Sequence, residues 1–416
     1  MKIRLAHSGV VARVALFLFA PAVSIAAQLP NPSAAATGLS GAYSAAARGY
    51  EAVAWNPANL GMPGAVGFSL GVLAVTGSTS LEPLKGQTIV PHVRQHFEAQ
   101  RADWLQTVAA NGGEHGQFDG GVTYLGLSAG PFALQVATSV NGSAALNPDA
   151  FEQLMYGPAG RPGNTRALDA GTSDFRTSAF TTTAVSYGYP VENDVRAGKH
   201  SALGFTGKYI LGNYLAMAQS EGPGALPGVY SNLDSGRVVG RGLGIDVGLA
   251  WADGTTTYSA TIENVYNNFS WDTSKLRSRP GGPLFREAAT SAPDHPFADA
   301  PQTLRDRVTS DQFKRVIALG TAFAASKSVT ISWDVRRQTG DGILVGPRTQ
   351  TSGGIELRGL PVVRLRGGAS YLTGGWGVSG GLGLALGRYE LAAGAALRKI
   401  DGVNEPVVTL NLLSFK

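Results

Sequence analysis

The chain has 416 residues, with 34 Lys and Arg against 29 Asp and Glu, a net charge of +5, 15% charged residues, 56 Gly and no Cys. A soluble domain of this size carries about 25% charged residues, so the deficit argues against one. The lack of Cys excludes a disulfide framework and a thiol nucleophile, and a mean hydropathy of +0.02 suits strands with one wet and one apolar face. The modest positive charge includes a basic N-terminus, so it points to no nucleic-acid partner.

Lys2, Arg4 and Arg13 precede an apolar run over 14–20 and a small-residue stretch over 22–27, the pattern of a secretory signal peptide. Ser24-Ile25-Ala26 fits the small-x-small cleavage rule, so residues 1–26 read as the signal and the mature chain starts at Ala27 or Gln28. A membrane anchor needs about 20 apolar residues, and Pro21 interrupts this run well short of that. Beyond it no window is apolar enough for a spanning helix. An exported chain of this kind is periplasmic, secreted or a β-barrel, and the composition favours the barrel.

Residues 27–63 read as a plug segment. They contain Gly38-Leu39-Ser40-Gly41-Ala42-Tyr43 and Ala52-Val53-Ala54-Trp55-Asn56-Pro57-Ala58-Asn59-Leu60, small and apolar side chains that need burial. Asn before Pro is pushed out of the helical region, so a helix or coil from Ser40 stops at Trp55 and turns toward a first strand at Gly64. A structural linker has the same composition, but the lumen of a barrel is the place available to bury it.

From there to the C-terminus, period-2 alternation predicts strands near 64–78, 119–129, 131–142, 177–190, 201–213, 236–251, 254–265, 314–325, 327–338, 348–359, 361–372, 375–386, 388–399 and 404–415. That makes fourteen, an even number that returns the C-terminus to the side of the first strand. The clearest faces are Leu243, Ile245, Val247, Leu249 and Trp251 against Gly244, Asp246, Gly248 and Ala250, and Val329, Ile331, Trp333 and Val335 against Thr330, Ser332, Asp334 and Arg336. Near the C-terminus Trp376, Val378, Leu382, Leu384 and Leu386 likewise oppose Gly377, Ser379, Gly381 and Gly383. The bulky faces are expected to meet lipid and the small or polar faces a lumen. In the last strand the alternation is mixed, placing Val407, Thr409, Asn411, Leu413 and Phe415 together, and Lys416 follows the terminal aromatic that barrel assembly machinery reads.

The connections segregate. Gly130-Pro131, Asp253-Gly254, Ser326-Lys327, Leu360-Pro361 and Gly387-Arg388 mark tight turns, while the long stretches 79–118, 143–176, 214–235 and 266–313 all fall on the opposite side. A soluble sandwich has no reason to sort its loops this way; a barrel with periplasmic turns and external loops does. The architecture expected is therefore an all-β, transmembrane antiparallel β-barrel of about 14 strands over 64–416, with the N-terminal plug in its lumen.

Candidate chemistry is sparse. Glu356, Arg358, Arg364 and Arg366 are turned inward by alternation on two strands joined at Leu360-Pro361, level with the plug, either as a carboxylate-binding or plug-latching site or as ion pairs that fill the lumen. His92 and His96 stand at i and i+4 in an amphipathic stretch over 90–108, with no third ligand for a metal, and the apolar side of that helix is either a landing surface for ligand or packing over the barrel mouth. Gly374-Gly375 and Gly380-Gly381 lack the Lys and following helix of a phosphate loop. His200 and His295 lie in connections without a Ser or Asp constellation, so neither an enzyme nor a cofactor is expected.

The pattern Gly-x-x-Gly-Ala-Tyr followed by Ala-Val-x-Trp-Asn-Pro-Ala-Asn-Leu resembles the plug of the FadL-type family of hydrophobic-compound transporters, and the strand count agrees with that family. In such proteins the Asn-Pro-Ala triplet, here Asn56, Pro57 and Ala58, sits within the barrel. The resemblance implies a channel of a Gram-negative-type outer membrane, surrounded by outer-membrane lipid, for apolar molecules such as long-chain fatty acids. Ligand would be captured at the external loops and leave sideways beside the plug. Relatives of the PorV/PorQ type, which serve a protein secretion system, share these features and stand as the alternative.

Overall fold

The computed structural model describes residues 32–416 apart from 65–66, 82–92, 195–196, 232–237, 281–292, 341, 344–346 and 416. The signal segment 1–26 and the paired side chains of His92 and His96 lie outside the described residues.

Fourteen antiparallel strands close a barrel: β1 (Phe68–Thr79), β2 (Glu114–Ala129), β3 (Phe132–Leu146), β4 (Thr172–Asp194), β5 (Lys199–Glu221), β6 (Gly240–Asp253), β7 (Thr256–Asn267), β8 (Arg315–Ser326), β9 (Val329–Thr339), β10 (Thr349–Leu357), β11 (Val363–Leu372), β12 (Gly375–Leu386), β13 (Tyr389–Ile400) and β14 (Val403–Phe415). Each pairs with its neighbours in sequence, and β1 pairs with both β2 and β14, which leaves no edge. The alternation decides the two faces: Trp376, Val378, Leu382, Leu384 and Leu386 are exposed on the outside, while Gly377 and Gly383 between them are buried. An apolar outer band over a closed sheet is the transmembrane solution, since every backbone donor and acceptor is satisfied without water.

Tight turns occupy one end. The β2–β3, β6–β7 and β12–β13 connections turn on Gly130, Gly254 and Gly387, whose φ values of +56°, +61° and +66° suit a residue without Cβ. A ring of aromatic side chains marks this end on the outside: Phe132 with Tyr187 (4.7 Å between ring centres), Trp251 stacked on Tyr258 (5.0 Å), and Phe415 between Phe68 and Tyr389 (5.8 and 5.4 Å). The long connections all leave from the other end, as do two-residue turns at Thr373-Gly374 and Asp401-Gly402.

Two differences from the expected strands have local causes. β4 and β5 run to 23 residues each, well past 177–190 and 201–213. Their outer halves do not alternate toward lipid: a bulge at Ala179/Phe180 resets the face, and Phe175, Leu215, Met217 and Ala218 are buried beneath external segments. In β14, Val407, Thr409 and Asn411 share one face as expected, and it points inward, but the register shifts between Glu390 and Ala392 on its partner. Leu412 and Leu413 are then both exposed, Ser414 is buried, and Phe415 joins the outer aromatic ring instead of sharing the face of Val407.

Candidate functional site

The lumen holds the chain from Pro32 to Met62, folded into four short pieces, the first and the last of which are capped by side chains. Ser33 accepts from the Ala36 N–H at 3.3 Å and starts the helix Ala34–Gly38; the 3-10 turn Gly49–Glu51 runs into the helix Ala52–Trp55. Asn56 stops that helix at φ −162° and ψ 107°, and its Oδ1 accepts from the Ala58 N–H at 3.0 Å to open the 3-10 turn Pro57–Gly61.

The wall receives this segment on glycine. Gly188, Gly204 and Gly248 are directly paired across β4, β5 and β6, and a Cβ on each would overlap Gly61 and Leu60, the Pro57-Ala58 backbone, and Asn56 respectively. Gly354 and Gly368, paired across β10 and β11, face Leu39 in the same way, and the Gly71–Gly126 pair of β1 and β2 receives the Tyr50 ring. Bare backbone is the only surface against which plug backbone comes this close.

Polar contacts then fix the register. One carboxylate oxygen of Asp334 accepts from the N–H groups of both Tyr43 (3.0 Å) and Ser44 (2.8 Å), and the Ser44 hydroxyl meets that of Ser259 at 2.7 Å. Asn56 donates to the Leu249 carbonyl at 3.0 Å, and the Ser40 and Ser379 hydroxyls meet at 2.8 Å. Within the plug, Glu51 accepts from Ser33 (2.7 Å) and Tyr43 (3.0 Å), so its buried charge is hydrogen-bonded.

The inward ionic residues come together beside the plug. Arg366 donates to Glu356 (2.6 Å) and Glu390 (3.1 Å), Arg364 reaches Glu390 at 2.8 Å, and Arg358 pairs with Glu356 from a side chain that is 52% exposed. The side chain of Arg366 packs against Gly38. Alternation placed four of these five; Glu390, on β13, is the fifth, and its sign was its place opposite the small residues of the neighbouring strand. A second buried set forms across β5, β6, β7 and β9, where alternation turns Asp246 and Arg336 inward without naming their partners: Lys208 meets Asp246 at 2.5 Å and Asn264 at 2.7 Å, and Arg336 meets Glu263 at 2.5 Å.

Above these charges the external segments close over the mouth in apolar clusters. Phe180, Phe269, Trp271 and Phe313 pack ring to ring at 4.8–5.5 Å, with Leu276, Leu304 and Val308 around them. Asp311 ties this cluster to the wall, accepting from Trp271 Nε1 (3.0 Å) and Arg176 (3.0 Å); burial raises its carboxyl above the usual range, and Arg176 opposes the rise. Beside it, Trp104, Leu105 and Val108 of the helix Val93–Ala110 pack on Phe151, Leu154 and Met155 of the helix Pro148–Tyr156. The described part of the first-loop helix therefore buries its apolar side.

A closed fourteen-stranded barrel, plugged from its N-terminus and roofed by apolar loop segments, is the class of protein this structure defines. Among solved structures it is similar to the toluene transporter TodX of Pseudomonas putida, with 11% identity over 94% of this chain and 98% of that one and a TM-score of 0.50. A FadL homologue of Pseudomonas aeruginosa (9% identity, 94% and 99% covered, TM-score 0.49) and the monoaromatic hydrocarbon channel CymD (11%, 94% and 98%, 0.48) also align. No protein-family model and no curated protein matches the chain. The likeness to TodX shows the FadL-type fold.

Proposed function

We propose that the chain is an outer-membrane channel for uptake of hydrophobic compounds and not an enzyme. The observation that carries this reading is the apolar roof: aromatic and aliphatic side chains from external segments fill the barrel mouth above the plug, where a water-filled pore would carry charge. The TodX-like fold supports it, since that neighbour is described as a toluene transporter. In this reading an apolar solute, a long-chain fatty acid or a smaller hydrocarbon, partitions into the external segments, reaches the lumen and leaves sideways into lipid beside the plug. Outer-membrane lipid and the barrel assembly machinery are then its surroundings and its route of insertion. Asn56, Pro57 and Ala58 serve as the plug's anchor, and Glu356, Arg358, Arg364 and Arg366 with Glu390 act as a plug-side latch of mutual ion pairs. No feature of the lumen speaks for the secretion-component alternative.

The test is uptake into proteoliposomes of toluene and of a long-chain fatty acid, compared with empty liposomes and with a Phe180→Asp, Phe269→Asp variant. Faster uptake by the native barrel that is lost in the variant is expected. Rates equal to those of empty liposomes for both solutes would overturn the proposal.

A further inference from the structure

On three strands of one arc of the wall, the lipid-facing column ends in a cation at the external side. Outward Leu319 and Ile317 of β8 lead up to Arg315, Trp333 and Val335 of β9 lead up to Arg337, and Ile245 and Leu243 of β6 lead up to Arg241. Arg315 and Arg241 are exposed, and Arg337 is half-buried. An arginine at the edge of an apolar, membrane-facing surface lays its stem on that surface and holds its guanidinium at headgroup depth.

The register shows that the sheet supplies these cations with no counter-ion. Arg315 stands opposite Thr339, Arg337 between Ile317 and Thr349, and Arg241 between Leu211 and Ser270. Among the described residues none of the three side chains has a hydrogen-bond or ion-pair partner. The periplasmic end is built differently: the exposed Lys199 stands in register between Asp194 and Asp253. Arg315 and Arg337 share the outer face of adjacent strands as diagonal neighbours, about 7–8 Å apart at Cα. Two guanidinium groups at that spacing can close on one tetrahedral anion from both sides, each offering a fork of N–H donors.

We infer that the external rim of the wall at β6, β8 and β9 is a binding site for the phosphate group of an anionic lipid of the external leaflet. Arg315 and Arg337 hold one phosphate between them, Arg241 adds positive charge from two strands away, and an acyl chain of the same lipid lies along Ile317 and Leu319. Apolar column and cations together select a lipid over a free anion, because a soluble phosphate gains nothing from the column below. The site depends on the barrel standing in a membrane and not on which solute it passes, so uptake can fail while lipid binding holds.

The experiment is native mass spectrometry of the full-length barrel in detergent, titrated with a lipid A that carries two phosphates, with dioleoylglycerol, and with lipid A in competition with inorganic phosphate. Saturable binding of lipid A is expected, at least about tenfold tighter than dioleoylglycerol and not displaced by inorganic phosphate at equal concentration. Arg315→Gln and Arg337→Gln should each weaken lipid A about fivefold and the double variant about twentyfold, whereas Lys199→Gln, which removes the same charge at the periplasmic end, should change it by less than about twofold. Migration of the unheated barrel on gels checks folding, and if the double variant does not fold, the two single variants decide. Unchanged affinity in the folded arginine variants, an equal loss in Lys199→Gln, equal binding of dioleoylglycerol, or displacement by inorganic phosphate at equal concentration would each overturn the assignment.

Discussion

The two sides of the lumen are built from one strand grammar and end up differently covered. On the β4–β8 side, long external connections fold back to bring Phe269, Trp271, Leu304 and Phe313 against Phe180, while below them Lys208 pairs with Asp246, and Glu263 pairs with Arg336 of the neighbouring β9. On the β11–β14 side the external connections are two residues long, no comparable cluster folds over among the described residues, and the wall shows hydroxyls such as Ser370, Ser379 and Thr409 to the plug. Loop length, not strand composition, therefore decides which part of the lumen is roofed by apolar side chains.

The largest expected effect comes from removing what separates both sides from the periplasmic end. Deleting residues 32–63 should raise single-channel conductance in planar bilayers by on the order of tenfold or more, because a fourteen-strand barrel without its plug has room for water. Unchanged conductance would mean that the plug does not seal. Gly204→Leu should do the same without a deletion, since the new side chain overlaps plug backbone that cannot give way, whereas Gly207→Leu, with nothing within 4 Å of its Cβ position, should leave conductance alone.

Next in size is the latch. Arg366→Ala removes the buried cation that Glu356 and Glu390 share, leaving each only a more exposed arginine, Arg358 and Arg364, and should cost about 3 kcal/mol, read as the urea midpoint for loss of the fast-migrating folded form. Arg358→Ala removes a half-exposed partner of the same Glu356 and should cost under about 0.5 kcal/mol. Equal costs would show that the cluster is not the buried pair network described. Phe180→Ala, from the roofed side, should cost about 3 kcal/mol or more by the same measurement and slow uptake of an apolar solute, while Ser370→Ala on the other side should do neither.

The smallest effect concerns the external segment over the roofed side. Asp149 holds a two-pronged hydrogen bond from Arg166 (2.8 and 2.5 Å), which keeps its carboxyl below the usual range. A carboxyl depressed by folding adds stability above its unfolded pKa and loses it as pH falls through the folded value, so the contact is intact at neutral pH and lost in acid. Limited proteolysis across 157–171 should speed up when the pH drops below about 4, the region of an ordinary Asp. Cleavage that is independent of pH would place the order of this segment elsewhere.

Local pattern is enough to specify the wall. Every one of the fourteen strands could be found from period-2 alternation, because lipid outside and plug or water inside penalise any residue on the wrong face, and the tight turns were marked by residues that accept positive φ. The Asn56-Pro57 stop was legible for the same local reason: proline restricts its neighbour whatever surrounds it. Tertiary structure alone decided what the wall encloses. Nothing local in Gly188, Gly204 and Gly248 announces that they stand side by side under one plug turn, since strand register across three strands creates the row. Glu390 joins Arg366 only through the pairing of β12 with its two neighbours, and Trp55 meets Arg336 only because the 280 residues of chain between them close into a ring. Alternation says which way a side chain points, but the partner it finds in the lumen depends on strand order, register and the path of the plug, and these are properties of the closed barrel.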